Sequence, residues 1–179
     1  FRSYVLTILI LTLTIFFFLI ITQHYNGFDT IEKNFRDAAF QTIATITTTG
    51  FSSSDYMTWH PILWFIILLL IPFGASAGST SGGVKIIRIH IILKNTYYEF
   101  KRIMHPKAIR PVRVNKRIIS ENTLSNIYVF ISIFIITLIA STIILMATGL
   151  STSEAFGCSI ASIANVGPAI GDFGPTGTY

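Results

Sequence analysis

A short polar peptide in the first third of the chain has the residue types that a cation-binding loop needs. It consists of Thr47, Thr48, Thr49, Gly50 and Phe51. In such a peptide the backbone carbonyls can replace the hydration shell of an alkali cation, and glycine can adopt the backbone angles that aim them to one side. The same peptide could instead be a helix C-terminus that a glycine ends. The residues of this peptide alone leave both interpretations open.

A related peptide occurs 117 residues further along the chain, and it favours the cation-binding interpretation. At this offset Asp37 falls on Glu154, and Gly50 falls on Gly167. The second peptide consists of Ala164, Asn165, Val166, Gly167 and Pro168. Self-similarity at a fixed offset indicates two related structural units. We therefore predict that each unit contributes one segment to an ion filter.

A glycine-rich stretch between the two peptides fits two enzymatic patterns imperfectly. Gly74 to Gly78 matches G-x-S-x-G, in which Ser76 would be the nucleophile of a serine hydrolase, but that motif needs a preceding strand and a histidine base. A helix-like apolar run precedes Ser76, and none of the four histidines is well placed. An intramembrane serine hydrolase therefore stays an alternative. A phosphate-binding loop is excluded because Lys85 is not followed by Ser or Thr, and a CxxC metal or redox site is excluded because Cys158 is the only cysteine.

The composition of the chain is that of a membrane protein. Hydrophobic residues make up 51% and charged residues 12% of the chain, whereas a soluble domain has about 25% charged residues. Since a membrane-spanning helix needs roughly 20 mostly apolar residues, the uncharged runs Tyr4–Thr22 and Leu124–Leu150 are predicted to span. The run Pro61–Leu93 is long enough but interrupted. The first run lacks the cleavage pattern of a secretory signal, and the start at Phe1 suggests a piece of a longer protein.

Two short helices are predicted directly before the two candidate filter segments. Phe35–Ile46 and Ser153–Ile163 hold 12 and 11 residues, or about 17 Å, which is too short to cross a bilayer. Their predicted N-caps are Asn34 and either Ser151 or Thr152. Non-helical backbone at membrane depth must be buried in protein or line a water-filled cavity. The predicted fold class is therefore an all-α membrane protein with repeated helix–pore-loop–helix units around a central ion pore.

The third apolar run is predicted to be a helix that breaks near the middle of the membrane. The helix is expected over Ile62–Phe73 and resumes at Val84. Between them lie small and polar residues, among them Gly74, Ser76, Gly78, Ser79, Thr80, Ser81, Gly82 and Gly83. Because glycine-rich backbone rearranges easily, we predict a gating loop on the ion path. Lys85 follows the loop and either reaches the cytoplasmic side or places a positive charge in the pore.

Basic residues are concentrated on one side of the predicted membrane segments. All of the 13 Lys and Arg residues except Arg2, Lys33 and Arg36 lie within residues 85–117. By the positive-inside rule, the loop Lys94–Arg117 is cytoplasmic, and we expect it to face lipid headgroups rather than nucleic acid. On the outer side, Tyr56, Trp59 and Trp64 are predicted to be interfacial anchors.

The three peptides together resemble those of the Trk/Ktr/HKT superfamily of potassium transporters, and most closely its bacterial Trk-type pore subunits. The matching peptides are Thr47–Phe51, Gly74–Lys85 and Ala164–Pro168, of which the second is the most specific. The resemblance extends from Tyr4 to Tyr179. It implies a protein that is not an enzyme and that takes up potassium through a channel-like pore with a filter of backbone carbonyls. K⁺ is then the transported ion that these carbonyls bind, and no cofactor is implied in this chain.

The resemblance also implies how the chain is divided and what it assembles with. The family has four helix, pore-loop, helix units in one chain. Residues 1–95 look like the complete third unit, 96–120 like a cytoplasmic basic loop and 121–179 like a truncated fourth unit. The family implies a homodimer, a cytosolic nucleotide-binding regulatory subunit and a multi-pass location in the inner (plasma) membrane, among membrane lipids. A two-unit cation channel that forms its pore as an oligomer is the alternative within transport.

Overall fold

The structure is a computed structural model, and it describes residues 2–22, 28–74, 78–104, 113–114 and 117–175. Six α-helices dominate these residues: α1 Arg2–Thr22, α2 Phe28–Ile46, α3 Pro61–Leu70, α4 Ile86–Met104, α5 Glu121–Ala147 and α6 Thr152–Ile163. Two pairs of two-residue strands accompany them: β1 Phe73–Gly74 with β2 Val84–Lys85, and β3 Arg113–Val114 with β4 Arg117–Ile118. The predicted all-α class is confirmed, with these short strand pairs as additions.

Two of the helices are long and apolar enough to cross a membrane. They are Tyr4–Ile21 within α1 and the whole of α5, each with a mean hydropathy of 2.8. None of the spanning window of α5 and only 17% of that of α1 is buried inside the described structure. Apolar helices with such exposed surfaces are stable only where lipid or further protein covers them. Both spans predicted from the sequence are therefore present as helices.

The first short helix is longer than predicted, since α2 has 19 residues and begins at Phe28 rather than at Phe35. Asn34 is consequently not the N-cap but lies inside the helix, where it is 6% exposed. No Gly or Pro occurs between Phe28 and Ile46, and Glu32 pairs with Arg36 at 3.6 Å one turn apart on the exposed face. Such pairs add a few tenths of a kcal/mol to a helix. The charged first half therefore continues the helix instead of forming an external loop.

The break in the third apolar run is sharper than predicted. Helix α3 ends at Leu70 rather than at Phe73, because Pro72 has no N–H to donate to the carbonyl of Leu68. The chain then resumes helical structure at Ile86. Strands β1 and β2 pair in parallel on either side of the break, and the Val84 N–H donates to the Pro72 carbonyl at 2.7 Å. The loop is thus closed at its base.

Helix α4 extends to Met104, beyond the boundary predicted at residue 95 and into the predicted cytoplasmic loop. Lys101 and Arg102 lie in its last turn, where positive charge interacts favourably with the helix dipole. The hairpin of β3 and β4 follows, and Lys94 Nζ donates to the Arg113 carbonyl at 2.5 Å. The basic segment is therefore partly helical rather than a loop throughout.

Helix α3 lies between two apolar clusters that hold the described residues together. One cluster joins α3 to α1 and α2 and includes Ile15, Leu19, Ala38, Tyr56, Trp59, Leu63, Ile67 and Leu70. The other joins the end of α3 to α6 and the residues after it, and includes Leu68, Ile71, Ile160, Ala161, Ala164, Val166, Ala169 and Ile170. Tyr56 and Trp59 are 2% and 7% exposed, so the prediction that they are interfacial anchors is wrong. They pack in the first cluster because the connection after the first filter peptide folds back onto α3.

Candidate ion filter and gating loop

The two short helices end in the same hydrogen-bonded cap. After α2, the Thr48 N–H donates to the Thr45 carbonyl at 3.1 Å and the Thr49 N–H to the Ala44 carbonyl at 2.9 Å. After α6, the corresponding bonds run from Asn165 to Ser162 at 3.1 Å and from Val166 to Ala161 at 2.9 Å. This is the Schellman arrangement, which needs a residue with positive φ at C′. The donor and acceptor positions of the second cap are those of the first cap shifted by 117 residues.

The residue at C′ is not the glycine. Thr48 has φ 54° and Asn165 has φ 58°, whereas the glycines lie two residues further on, with φ 76° at Gly50 and 106° at Gly167. The alternative that Gly50 merely ends the helix at C′ is therefore wrong. Each segment has a second residue with positive φ beyond its cap. A positive φ at that position changes the direction of the chain after the helix has ended.

The second short helix begins as the sequence predicts. Ser151 is the N-cap of α6: its side chain accepts from the Glu154 N–H, while the Glu154 side chain accepts from the Ser151 N–H. This reciprocal arrangement is a capping box, which satisfies two of the free N–H groups of a helix start. The hydrogen bond from Ser151 lowers the pKa of Glu154, so its carboxylate stays ionised at neutral pH. Negative charge here complements the positive end of the α6 dipole.

The two candidate filter segments touch each other at Gly50. A Cβ on Gly50 would lie 1.9 Å from the Val166 carbonyl oxygen and 3.3 Å from Pro168 Cδ. Only glycine lets the backbones approach this closely, so Gly50 is required both for its φ and for its lack of a side chain. The tertiary structure thus brings together the two peptides that the sequence singles out.

Backbone carbonyl oxygens are among the groups that these segments leave available for an ion. Thr47 Oγ1 donates back to the Ile43 carbonyl at 2.7 Å, and Thr49 Oγ1 lies 2.7 Å from Thr47 Oγ1. These hydroxyls are therefore engaged locally. Within the described part of the chain, no hydrogen bond reaches the carbonyl oxygens of Thr47–Gly50 or of Ala164–Gly167.

The glycine-rich loop packs against the second candidate filter segment. A Cβ on Gly82 would lie 2.2 Å from the Ala164 carbonyl oxygen and 2.8 Å from Asn165 Cβ. The loop is also tight within itself, since a Cβ on Gly74 would lie 2.0 Å from the Gly82 carbonyl oxygen. Backbone in such close contact accommodates only glycine at these positions. The loop therefore lies directly against a candidate filter segment, and its role as a gate stays a prediction.

Lys85 is bonded to the loop itself. Its ammonium donates to the Ser79 carbonyl, while the Ser79 hydroxyl bonds to Ser81 at 3.0 Å. The two predicted orientations of Lys85, toward the cytoplasm or into the pore, both stay predictions. Ser76, the candidate nucleophile, falls in 75–77, outside the described residues. Gly78, Thr80 and Gly83 complete the described part of the loop.

Tyr56 connects the two units, a role that the sequence patterns did not indicate. Its hydroxyl donates to the Ala169 carbonyl at 2.7 Å, between residues 113 positions apart. Burial, and to a lesser extent the charge of Asp55, raises the pKa of Tyr56, so the hydroxyl keeps its proton and remains a donor. Ala169 follows the second filter segment by two residues. The bond therefore connects the chain that follows the second filter segment to the chain that follows the first.

We expect Tyr56→Phe to lower the free energy of unfolding by about 1–2 kcal/mol, because it leaves the Ala169 carbonyl buried without its donor. The matched control is Tyr97→Phe, since Tyr97 is 58% exposed. Thermal unfolding in detergent would measure both. Equal effects of the two substitutions would mean that the bond contributes nothing to the packing of the units.

The chain matches a protein-family model. The family model described as TrkH, cation transport protein, matches residues 1–177. This covers nearly the whole chain, including both candidate filter segments and the glycine-rich loop.

Individual relatives agree with this match. The Trk system potassium uptake protein TrkH of Salmonella typhimurium is 33% identical over 161 residues, which cover 90% of this chain and 33% of the relative. The protein of the same name from Escherichia coli (strain K12) is 32% identical over 147 residues, covering 82% of this chain and 30% of the relative. The chain thus spans about a third of the length of these curated relatives.

A solved structure has the same fold. The crystal structure of the potassium transporter TrkH from Vibrio parahaemolyticus superimposes with a TM-score of 0.87 at 28% identity. The match covers 96% of this chain and 36% of that one. The arrangement of helices and connecting loops described above is therefore that of a membrane transporter.

Proposed function

The chain belongs to the TrkH family of cation transport proteins, and on that premise we propose that it forms part of a pore for potassium uptake. In this proposal K⁺ passes between backbone carbonyls of Thr47–Gly50 and Ala164–Gly167. The contact between Gly50 and the Val166 carbonyl oxygen supports the proposal most directly, because it places two carbonyl-bearing segments beside each other. Carbonyl rings that replace the hydration shell are the means by which potassium filters bind their ion.

The residues proposed to line the filter are the two segments together. They are Thr47, Thr48, Thr49, Gly50 and Phe51 in the first unit, and Ala164, Asn165, Val166 and Gly167 in the second. Phe51 is 70% exposed in the described structure. That exposure fits a position at the mouth of the filter. In the complete pore, further units would cover the Phe51 side chain.

The glycine-rich loop is proposed as the gate of this pore. The loop contacts Ala164 and Asn165, which form the end of the second filter segment next to the C-cap of α6. The loop is held at its base by the pairing of β1 with β2 and across its width by Lys85. A segment with few such ties can change conformation at small cost.

We expect Lys85→Met to raise the maximal rate of potassium uptake by about fivefold to tenfold, because the loop loses a charge-assisted hydrogen bond that holds it closed. Lys94→Met is the matched control, since Lys94 bonds to the Arg113 carbonyl away from the loop. Uptake of potassium or rubidium by cells that express each variant would measure the effect. An unchanged or reduced rate in Lys85→Met alone would contradict the gating role.

The division of the chain and its partners are also proposals. We infer that residues 1–95 form a third unit, residues 96–120 a cytoplasmic basic loop and residues 121–179 the start of a fourth unit, within a longer chain that has two units before them. The full protein is proposed to be a homodimer in the inner (plasma) membrane, with a cytosolic regulatory subunit; the relatives are named as members of a Trk system. The intramembrane serine hydrolase is not retained, because the family is one of cation transporters.

Potassium uptake by the full-length protein tests the proposal. A strain that lacks its own high-affinity uptake should grow at low potassium when it expresses the protein, and purified protein in liposomes should carry K⁺ in preference to Na⁺. Absence of K⁺ flux in folded, reconstituted protein would refute the function. The complete reading frame separates the proposed four-unit chain from a two-unit oligomer, since only the former contains two further repeats upstream.

A further inference from the structure

A stripe of buried polar side chains runs along the face of α2 that lies behind the first filter segment. Asp37, Gln41 and Thr45 are 8%, 4% and 2% exposed. They are spaced four residues apart, so they lie on one face of the helix. Burying polar groups costs free energy unless each finds a hydrogen-bond partner. The partners of this stripe therefore indicate what it does.

The stripe bonds to the residues that directly follow the filter segment. Ser52 Oγ lies 3.1 Å from Gln41 Oε1, and Ser53 Oγ donates to Asp37 Oδ1 at 3.2 Å. The single hydroxyl hydrogen of Ser52 is shared between Gln41 Oε1 and the Ser54 carbonyl oxygen, which lies 2.5 Å from Ser52 Oγ. Two consecutive residues of the returning chain are thus tied to a helix, which is a rigid support.

Gln41 also borders the filter segments themselves. It lines a small cavity together with Gly50, Tyr56, Val166 and Pro168. Thr45 Oγ1 donates to the Gln41 carbonyl at 2.8 Å, so the helix around Gln41 is fixed as well. The first filter segment is consequently anchored at both ends, by the helix cap at Thr48 and Thr49 and by Gln41 at Ser52.

We propose that Gln41, acting through Ser52, is a positioning residue that sets the spacing of the first segment's carbonyls and thereby the preference for one alkali cation over another. The proposal rests on the proposed function. Binding groups must be held to within about 0.5 Å of their productive geometry. Gln41 and its bond to Ser52 supply that restraint at the outer end of the segment.

The restraint belongs to the first unit. At the 117-residue offset Gln41 corresponds to Cys158, and Ser52 corresponds to Ala169. These residues cannot form the same side-chain hydrogen bond, since Ala169 has no polar side-chain group. In the second unit the carbonyl of Ala169 accepts from Tyr56 instead. The two segments are therefore held by different contacts, and substitutions at Gln41 address the first segment selectively.

Selectivity measurements on the full-length protein test the proposal. We expect Gln41→Met and Ser52→Ala each to reduce the preference for K⁺ over Na⁺ by about fivefold to tenfold. The double variant is expected to show the same loss as Ser52→Ala, because that substitution already removes the bond to Gln41 together with the contact to the Ser54 carbonyl. Ser52→Thr keeps the hydroxyl and is expected to retain the wild-type preference. Ser132→Ala, which removes a hydroxyl bonded to the Tyr128 carbonyl within α5, is the matched control.

The outcomes separate the two proposals. If wild-type protein conducts no K⁺, the proposed function fails. If wild-type protein is selective and Ser52→Ala, folded as judged by size-exclusion chromatography, retains that selectivity, the role of Gln41 and Ser52 is overturned. A preference lost in Ser52→Ala and kept in Ser52→Thr supports the role of the Ser52 hydroxyl, and a loss in Gln41→Met assigns that role to the bond with Gln41.

Discussion

Replacing Gly50 with alanine is expected to abolish potassium uptake. The new Cβ would lie 1.9 Å from the Val166 carbonyl oxygen, and the residue would have to keep a φ of +76°. Left-handed backbone costs an L-residue about 1–2 kcal/mol, and overpacking a close contact costs about 1–3 kcal/mol more. The Val166 carbonyl oxygen belongs to the other filter segment. The two segments must therefore move apart to accommodate the new Cβ. A combined free-energy cost of this size corresponds to a decrease in potassium uptake of about a hundredfold or more.

Gly149→Ala provides the control for backbone strain. Gly149 has φ +100°, but a Cβ there meets nothing within 4 Å. The substitution therefore introduces similar strain without the collision, away from the filter and just after α5. We expect it to cost about 1–2 kcal/mol of stability and to leave uptake close to wild type. Rubidium uptake, normalised to the amount of protein in the membrane, would measure both variants. If Gly50→Ala and Gly149→Ala transported equally well, the filter assignment of Gly50 would be wrong.

Replacing Gly82 with alanine is expected to raise uptake about tenfold while preserving the preference for K⁺. The new Cβ would lie 2.2 Å from the Ala164 carbonyl oxygen, so either the loop or the filter segment must move. Ala164 is fully buried, and it is held by its bond to the Ile160 carbonyl at 2.9 Å. The glycine-rich loop has the weaker support, so it moves away and the gate opens.

Gly78→Ala is the control within the same loop. Gly78 has φ +86°, and a Cβ there meets no atom within 4 Å, so the change strains the loop without pushing it from Ala164. We expect near-wild-type uptake. Liposome flux with K⁺ and Na⁺ measured side by side would decide which element moved in Gly82→Ala. Low uptake with lost selectivity would mean that the filter segment had been displaced and that the loop does not act as a gate.

Local sequence was sufficient for the helices whose ends have strong signals. The spans in α1 and α5 follow from uninterrupted apolar residues, and the start of α6 follows from Ser151 with Glu154 three residues later. The start of α2 did not follow, because Asn34 has the chemistry of a cap but lies within a helix that the preceding residues extend. A capping residue is favoured at a helix start, yet it does not prevent helix formation before it.

Burial could not be inferred from side-chain chemistry. Tyr56 and Trp59 have the amphipathic side chains of interfacial residues, and both are buried. Gln41 had no pattern that singled it out, although a count of polar residues at a spacing of four along α2 would have drawn attention to it. What decides these positions is the way the chain folds back after Phe51, which brings Ser52 and Ser53 against α2.

The sequence by itself determined that the protein has apolar spanning helices, two related units and two glycine-containing peptides that carry the candidate filter. These properties depend on composition, on periodicity and on an internal repeat, all of which are local or directly comparable along the chain. Only the tertiary structure decided that Gly50 contacts Val166, that Gly82 contacts Ala164 and that Tyr56 bonds to Ala169. Such contacts join residues 82 to 116 positions apart. They arise from the packing of whole helices, which no local preference specifies.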